Sequence, residues 1–162
     1  MTKLADDRSI IAIDPNPRGL AFVFFENGML LDWGTRRGDG DECALLQRLL
    51  ERYKADVLVL EDPEVPRAER RPRVRQLLGL LAQTARHQGV RVVAVSRFAV
   101  RREWAERGLT RKHAVAESIG AMFPEIEPLV PRKRKVFRSE EARTEIFDAA
   151  SLVLHAFGVV PG

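Results

Sequence analysis

Four acidic residues stand where carboxylates can do chemistry. Ile10-Ile11-Ala12-Ile13 runs into Asp14, and Val57-Leu58-Val59-Leu60 runs into Glu61. Each short apolar run reads as a strand buried on both faces, which puts each acid at the carboxyl end of a buried strand. In open α/β sheets that edge is where ligands bind. If the two strands are parallel neighbours, their spacing of about 4.8 Å brings two carboxylates close enough to share a cation. The other two acids belong to a C-terminal segment in which Ile146, Phe147, Ala149, Ala150, Leu152, Val153 and Leu154 leave hardly any polar face around Asp148. That is the pattern of a buried helix. An ionised carboxylate there is costly unless it is paired or metal-bound, and Glu145, three residues earlier, lies on the same face. His155, seven residues later, reads as a packing or hydrogen-bonding histidine rather than a ligand.

Carboxylates that converge without cations repel one another, and some take up protons at neutral pH. A divalent metal resolves that conflict. An all-oxygen set suits Mg²⁺ or Mn²⁺ rather than zinc, for which the chain offers no Cys/His cluster. Two such ions about 3.5–4 Å apart cleave phosphodiesters, one activating water and the other stabilising the leaving oxygen. A plainer alternative stays open for each acid. An Asp before a Pro makes an Asx turn, Glu61-Asp62-Pro63 simply ends a strand, and a helical Asp pairs with Arg143 or another base.

The elements that must position these acids follow from the hydropathy pattern. Ser9–Ile13 is a first strand. Leu20–Phe25 and Met29–Trp33 flank Glu26-Asn27-Gly28, a hairpin signal because Asn and Gly both tolerate positive φ. Cys43–Tyr53 has helical spacing, Val57–Leu60 is the next strand, and Val74–Gln88 is an amphipathic helix closed by Gly89. Val90–Val95 reads as a further buried strand. Two helices follow, Val100–Glu106 and Arg111–Met122, with Gly108 and Pro124 as breaks. Pro128–Arg138 is basic, bounded by prolines, and reads as a mobile or substrate-ordered loop. A last helix runs from about Glu140, behind a Ser139 cap, to Phe157. Three antiparallel strands, then helix, strand, helix, strand and helices, make an α/β domain with one mixed sheet, whose centre is formed by the first and fourth strands.

The chain has 162 residues, 45% hydrophobic and 31% charged, which suits a single domain over 1–162 with one core. One cysteine, Cys43, can make neither an internal disulfide nor a zinc cluster. The polar N-terminus and the lack of any apolar run near 18–20 residues point to a soluble cytoplasmic protein without a membrane partner. Lys and Arg number 27 against 23 Asp and Glu, a net charge of +4. The bases cluster: Arg67, Arg70, Arg71, Arg73 and Arg75 form one run, Arg132, Lys133, Arg134, Lys135 and Arg138 another, and Arg97, Arg101, Arg102, Arg107, Arg111 and Lys112 a looser third. Such runs suit a polyanion held at several points, although each alone also suits a solvated face.

Taken in order, Ile10-Ile11-Ala12-Ile13-Asp14-Pro15 with Arg18, Val57-Leu58-Val59-Leu60-Glu61, Lys112 at the opening of a helix, and Glu145-x-x-Asp148-Ala149-Ala150 resemble the RuvC-type Holliday-junction resolvases of the RNase H-like superfamily. The resemblance spans about residues 9–157. It implies an RNase H-like fold with a central mixed five-stranded sheet, the first three strands antiparallel, flanked by helices. It also implies a two-metal-ion endonuclease with Asp14 as shared ligand and Glu61, Glu145 and Asp148 completing the cluster. Lys112 falls where these resolvases carry a lysine near the scissile phosphate, with Arg111 as its competitor. Arg18, Arg71, Arg73, Arg111, Arg132, Lys133, Arg134 and Lys135 are the expected nucleic-acid contacts, and a homodimer is implied by the two-fold symmetry of a junction. The family's Asp-Pro-Gly is replaced here by Asp14-Pro15-Asn16-Pro17, and its aromatic wedge has no counterpart in Glu61-Asp62-Pro63-Glu64-Val65.

The expected function is therefore hydrolysis of branched or structured DNA with Mg²⁺ or Mn²⁺. The alternatives are an RNA-processing nuclease of the same superfamily and a catalytically inactive nucleic-acid-binding or scaffold module. An actin-like ATPase is excluded by size and by the lack of a Gly-Lys-Ser/Thr phosphate cradle.

Overall fold

The computed structural model describes residues 2–64, 71–131 and 144–161. Strands β2 (Ile10–Asn16), β3 (Gly19–Glu26) and β4 (Met29–Arg37) form an antiparallel meander, helix α1 (Glu42–Tyr53) leads to β5 (Val57–Glu61), and α2 (Pro72–His87) leads to β6 (Arg91–Val95). The five strands lie in the order β4-β3-β2-β5-β6. β2 pairs antiparallel with β3 and parallel with β5, so the expected first and fourth strands do lie side by side at the centre. Helices α3 (Arg97–Glu106) and α4 (Lys112–Met122), a 3₁₀ turn (Pro124–Leu129) and α5 (Thr144–Phe157) complete the main body. The mixed sheet flanked by helices matches the expectation.

Strand alternation decides which layer each residue joins. Ile10, Ala12, Val57 and Val59 face a core shared with α5, Val100 and Trp104 of α3, and Ile119 of α4. Ile11, Ile13, Leu58 and Leu60 face the opposite core, built with Leu45, Leu46 and Leu49 of α1 and Leu78 and Leu81 of α2. Asp14 continues the even series of β2 and Glu61 the odd series of β5. Both acids therefore belong to the side covered by α5, the helix that carries Glu145 and Asp148.

Asn27 and Gly28 both have positive φ, 53° and 76°, as the hairpin signal requires. The turn from β2 to β3 depends on Asn16, whose Oδ1 accepts from the backbone N–H groups of Arg18 and Gly19, each at 2.8 Å. A Cβ on Gly19 would lie 2.0 Å from the Arg36 carbonyl oxygen, so the close approach of β4 admits only glycine there.

Three expectations need correction. Val90–Val95 is not a buried strand: β6 is the sheet edge, and of its five residues only Val95 is buried. α3 begins three residues earlier than Val100, because Ser96 caps it and its Oγ accepts from the Ala99 N–H at 3.2 Å. The polar N-terminus hides a strand, β1 (Thr2–Leu4), which pairs antiparallel with β7 (Val159–Pro161). Of the Pro128–Arg138 loop, Pro128 and Leu129 end the 3₁₀ turn. The rest beyond Pro131, together with the Ser139 cap and the Glu140 helix start, lies outside the described residues. No helix among the described residues is long and apolar enough to cross a membrane.

Candidate active site

The carboxyl edge of the central strands carries a polar cleft of about 270 Å³, lined by Asp14, Pro15, Asn16, Pro17, Arg97, Arg101, Lys112, Glu145 and Asp148. Parts of the chain remote in sequence meet there. β2 and β5 run in parallel register up to Ala12 and Val59, and two residues further on each strand ends its apolar run at Asp14 or Glu61. Both acids are almost fully buried, 2% and 3% exposed. α5 crosses the same face and brings Glu145 and Asp148 into the cleft, as their three-residue spacing requires. Lys112, the first residue of α4, lines the cleft, whereas its competitor Arg111 lines an adjoining apolar cavity of about 240 Å³ together with Val100, Trp104, Leu109 and Phe147.

The centre of the cluster belongs to the loosest of the three basic runs. Arg97 donates from Nη2 to Asp14 Oδ1 at 2.8 Å and from Nε to Glu61 Oε2 at 3.1 Å, and its Nη1 lies 3.8 Å from Asp148 Oδ1. Its side chain is only 15% exposed. The position follows from register. β5 pairs in parallel with β6, Glu61 opposite Val95, and the Asp62 N–H donates to the Val95 carbonyl at 2.8 Å. The chain leaving Val95 turns through Ser96, so the first residue of α3 emerges beside Glu61. Burial alone would lower the pKa of Arg97, but the charges of Asp14, Glu61 and Asp148 outweigh it and hold the value above that of an ordinary arginine.

This changes how the converging acids avoid repulsion. Divalent metal is the sequence-based expectation, yet among the described residues Arg97, Arg101 and Lys112 supply cations beside Asp14, Glu61, Glu145 and Asp148. The donor chemistry suits Mg²⁺ or Mn²⁺, but the arrangement does not. Mg²⁺ draws its oxygens to about 2.0–2.1 Å in near-octahedral geometry, whereas here the Arg97 guanidinium lies among Asp14, Glu61 and Asp148. Among the described residues, no group of three or more His, Cys, Asp or Glu side chains stands in position to hold a metal ion.

Among the described residues, the remaining predicted contacts are not gathered into the cleft. Arg18 is exposed in the β2–β3 turn, and Arg71 and Arg73 are exposed at the start of α2. Arg132, Lys133, Arg134 and Lys135 lie outside the described residues, as do Arg67, Arg70, Arg138 and Arg143. Arg75 has a structural task, since its Nε donates to the Pro63 carbonyl at 3.1 Å and ties the start of α2 to the end of β5. His155 is kept from the cluster by a short hydrogen bond to Glu103 on α3. Arg97 was legible in principle: an apolar run ending in a charged residue, the signal that exposed Asp14 and Glu61, recurs as Val92-Val93-Ala94-Val95-Ser96-Arg97.

A five-stranded mixed sheet in the order β4-β3-β2-β5-β6, flanked by helices, is the fold seen in RuvC-type resolvase structures. Solved structures share it. Thermus thermophilus RuvC in complex with a Holliday junction substrate has a TM-score of 0.63 and 20% identity, over 93% of this chain and 93% of that one. The yeast mitochondrial Holliday junction resolvase Ydc2 has a TM-score of 0.61 and 16% identity, over 91% and 76%. The fowlpox virus resolvase with its substrate Holliday junction DNA has a TM-score of 0.56 and 13% identity, over 91% and 95%. No protein-family model matches the sequence, and no curated protein matches it either.

Proposed function

We propose that this protein is a nuclease acting on branched or structured DNA, in the manner of a Holliday-junction resolvase. The observation that carries the reading is the convergence of Asp14, Glu145, Asp148 and Lys112 on one cleft at the carboxyl edge of a RuvC-type sheet, with Glu61 adjoining through Arg97. Lys112 adds a cation on the wall of that cleft, placed to meet a phosphate. Mg²⁺ or Mn²⁺ is the cofactor expected in this reading, with Asp14, Glu61, Glu145 and Asp148 as the residues that would supply its oxygens; Arg97 here pairs with three of them, Asp14, Glu61 and Asp148. A homodimer is part of the proposal, because one two-fold axis in the protein then matches that of a junction.

Incubation with a four-way junction, flap, duplex, single strand, RNA and hybrid, each with Mg²⁺ and with Mn²⁺, tests it. The expected result is metal-dependent cutting of the junction or flap that Asp14→Asn abolishes; a fully active Asp14→Asn protein refutes it. Preferential cutting of RNA would select the RNA-processing alternative. A second reading, a binding module without turnover, is favoured by one observation, the guanidinium already lodged among the acids. Tight junction binding with no cleavage on any substrate selects that reading.

A further inference from the structure

We propose that the apolar cavity beside the cleft is a nucleobase site, which takes one unpaired base of a bound DNA strand while the phosphate of that nucleotide stays at its cationic mouth. The inference deepens the proposed function and rests on its placing of a DNA strand along the cleft. It does not rest on turnover.

The cavity, of about 240 Å³, lies between three helices: α3 lines it with Val100 and Trp104, α4 with Val115, and α5 with Phe147. That volume is below the roughly 300–1,000 Å³ of sites for drug-sized ligands, so it suits a single ring system better than a whole nucleotide. Its depth and its mouth differ in character. Val100, Trp104 and Phe147 are buried and give an apolar, aromatic surface of the kind on which bases stack. Arg101, Arg111 and Lys112 are exposed and place positive charge where the cavity opens. Asp148 is the one carboxylate among the described lining residues, and Arg97 Nη1 lies 3.8 Å from it. Arg97, Arg101, Lys112 and Asp148 also line the polar cleft. The two spaces thus share a wall, and a strand whose phosphates follow the cleft has its bases within reach of the cavity.

A buried hydroxyl favours a base over a hydrocarbon group as the occupant. Ser151 lines the cavity at 6% exposure, and its Oγ donates to the Asp148 carbonyl at 2.7 Å. Its proton is spent within the helix, so what the hydroxyl offers the cavity is acceptor lone pairs. An alkyl side chain or acyl chain seated there would cover that acceptor without a partner, which is costly. A base meets it with a ring or exocyclic N–H. Extruding a base from a duplex has its own cost, which is least where the base is already unpaired. Branched or otherwise interrupted DNA is therefore the form that fills this cavity most readily.

The test is equilibrium binding of the whole chain, in EDTA, to pairs of four-way junctions that are identical except at one unpaired nucleotide near the branch point, which either carries its base or is abasic. The unpaired position is moved stepwise along each arm. At one position wild type should bind the base-bearing junction at least about tenfold more tightly than the abasic one, equivalent to about 1.4 kcal/mol. Ala105→Phe, which adds a ring at an exposed residue lining the cavity, should bind the two members of that pair equally. Val115→Phe fills the cavity from α4 and should do the same, and it serves if Ala105→Phe does not fold. In a Trp33→Phe background Trp104 is the remaining tryptophan, and its fluorescence should be quenched by the base-bearing junction and not by the abasic one. Equal affinities at every position in wild type, a preference that survives either filling, or no binding of any junction overturns the proposal. A base preference with no cleavage of any substrate supports the site while refuting the nuclease reading; cleavage with no base preference does the reverse.

Discussion

Replacing Arg97 by methionine should cost the fold more than any other single change at the cleft edge. The substitution keeps most of the side-chain length but removes the charge that faces Asp14 and Glu61. Those carboxylates are 2% and 3% exposed, so solvent screens them little. The contact to Asp148 is longer, and that carboxylate is 20% exposed, so it adds less. Leaving buried charges unpaired in this way typically costs about 3–5 kcal/mol, a large part of the 5–15 kcal/mol typical of a domain. At roughly 2–4 °C per kcal/mol for a chain of this size, the melting temperature should fall by about 6–20 °C. Urea unfolding measures the free-energy loss and thermal melting the shift in temperature. The loss should persist at high salt, which screens buried pairs much less than surface ones. Neutralising the acids as well, in the combined Arg97→Met, Asp14→Asn, Glu61→Gln variant, should recover most of it. A loss below about 1 kcal/mol, the worth of a surface ion pair, would refute the argument that this guanidinium is what makes the buried acids tolerable.

Ser96→Ala should cost about 1 kcal/mol through loss of the α3 cap, read by urea unfolding, and should loosen Arg97, the next residue. Lys112→Ala should lower cleavage roughly 100-fold if the lysine stabilises phosphate charge during hydrolysis, with junction binding measured in parallel to separate the two effects. If Lys112 also contacts a phosphate in the duplex-bound state, its removal should reduce the salt slope of binding by about 0.9. Tyr53, the single tyrosine, packs on Phe24 and donates to Asp32, and burial followed by that hydrogen bond raises its phenol pKa above 10.0. Its protonated form is the one favoured by folding, so this contribution to stability is complete below pH 10 and is lost as pH rises through the folded-state value. Ultraviolet titration should show phenolate appearing later in the native than in the urea-unfolded chain, and Asp32→Asn should narrow the gap.

Much of this molecule was readable from periodicity because its central strands are uniformly apolar and end abruptly. Ile10–Ile13 and Val57–Leu60 announced both the middle of the sheet and the acids at its edge, and the closeness of Asp14 and Glu61 followed from parallel pairing. Three-residue spacing sufficed for Glu145 and Asp148. What stayed hidden depended on partners elsewhere in the chain. β1 and β7 are three-residue strands, too short to show a period, and they pair antiparallel with each other. β6 looked like an interior strand because Val90, Val92, Val93 and Val95 are apolar, but hydrophobicity does not show whether another strand lies beyond. Arg97 was misplaced for a related reason: a base among other bases looks solvated until the register of the neighbouring strand shows which acid it meets.

The outer position of β6 has a mechanical consequence. Asp14 and Glu61 sit on strands hydrogen-bonded on both sides, while Arg97 follows a strand held on one side only and mostly uncovered. Local opening begins where burial and pairing are thinnest. Fraying of this margin would loosen the backbone that leads into Arg97, which α3 still anchors through buried Val100 and Trp104, while leaving the acid-bearing strands paired.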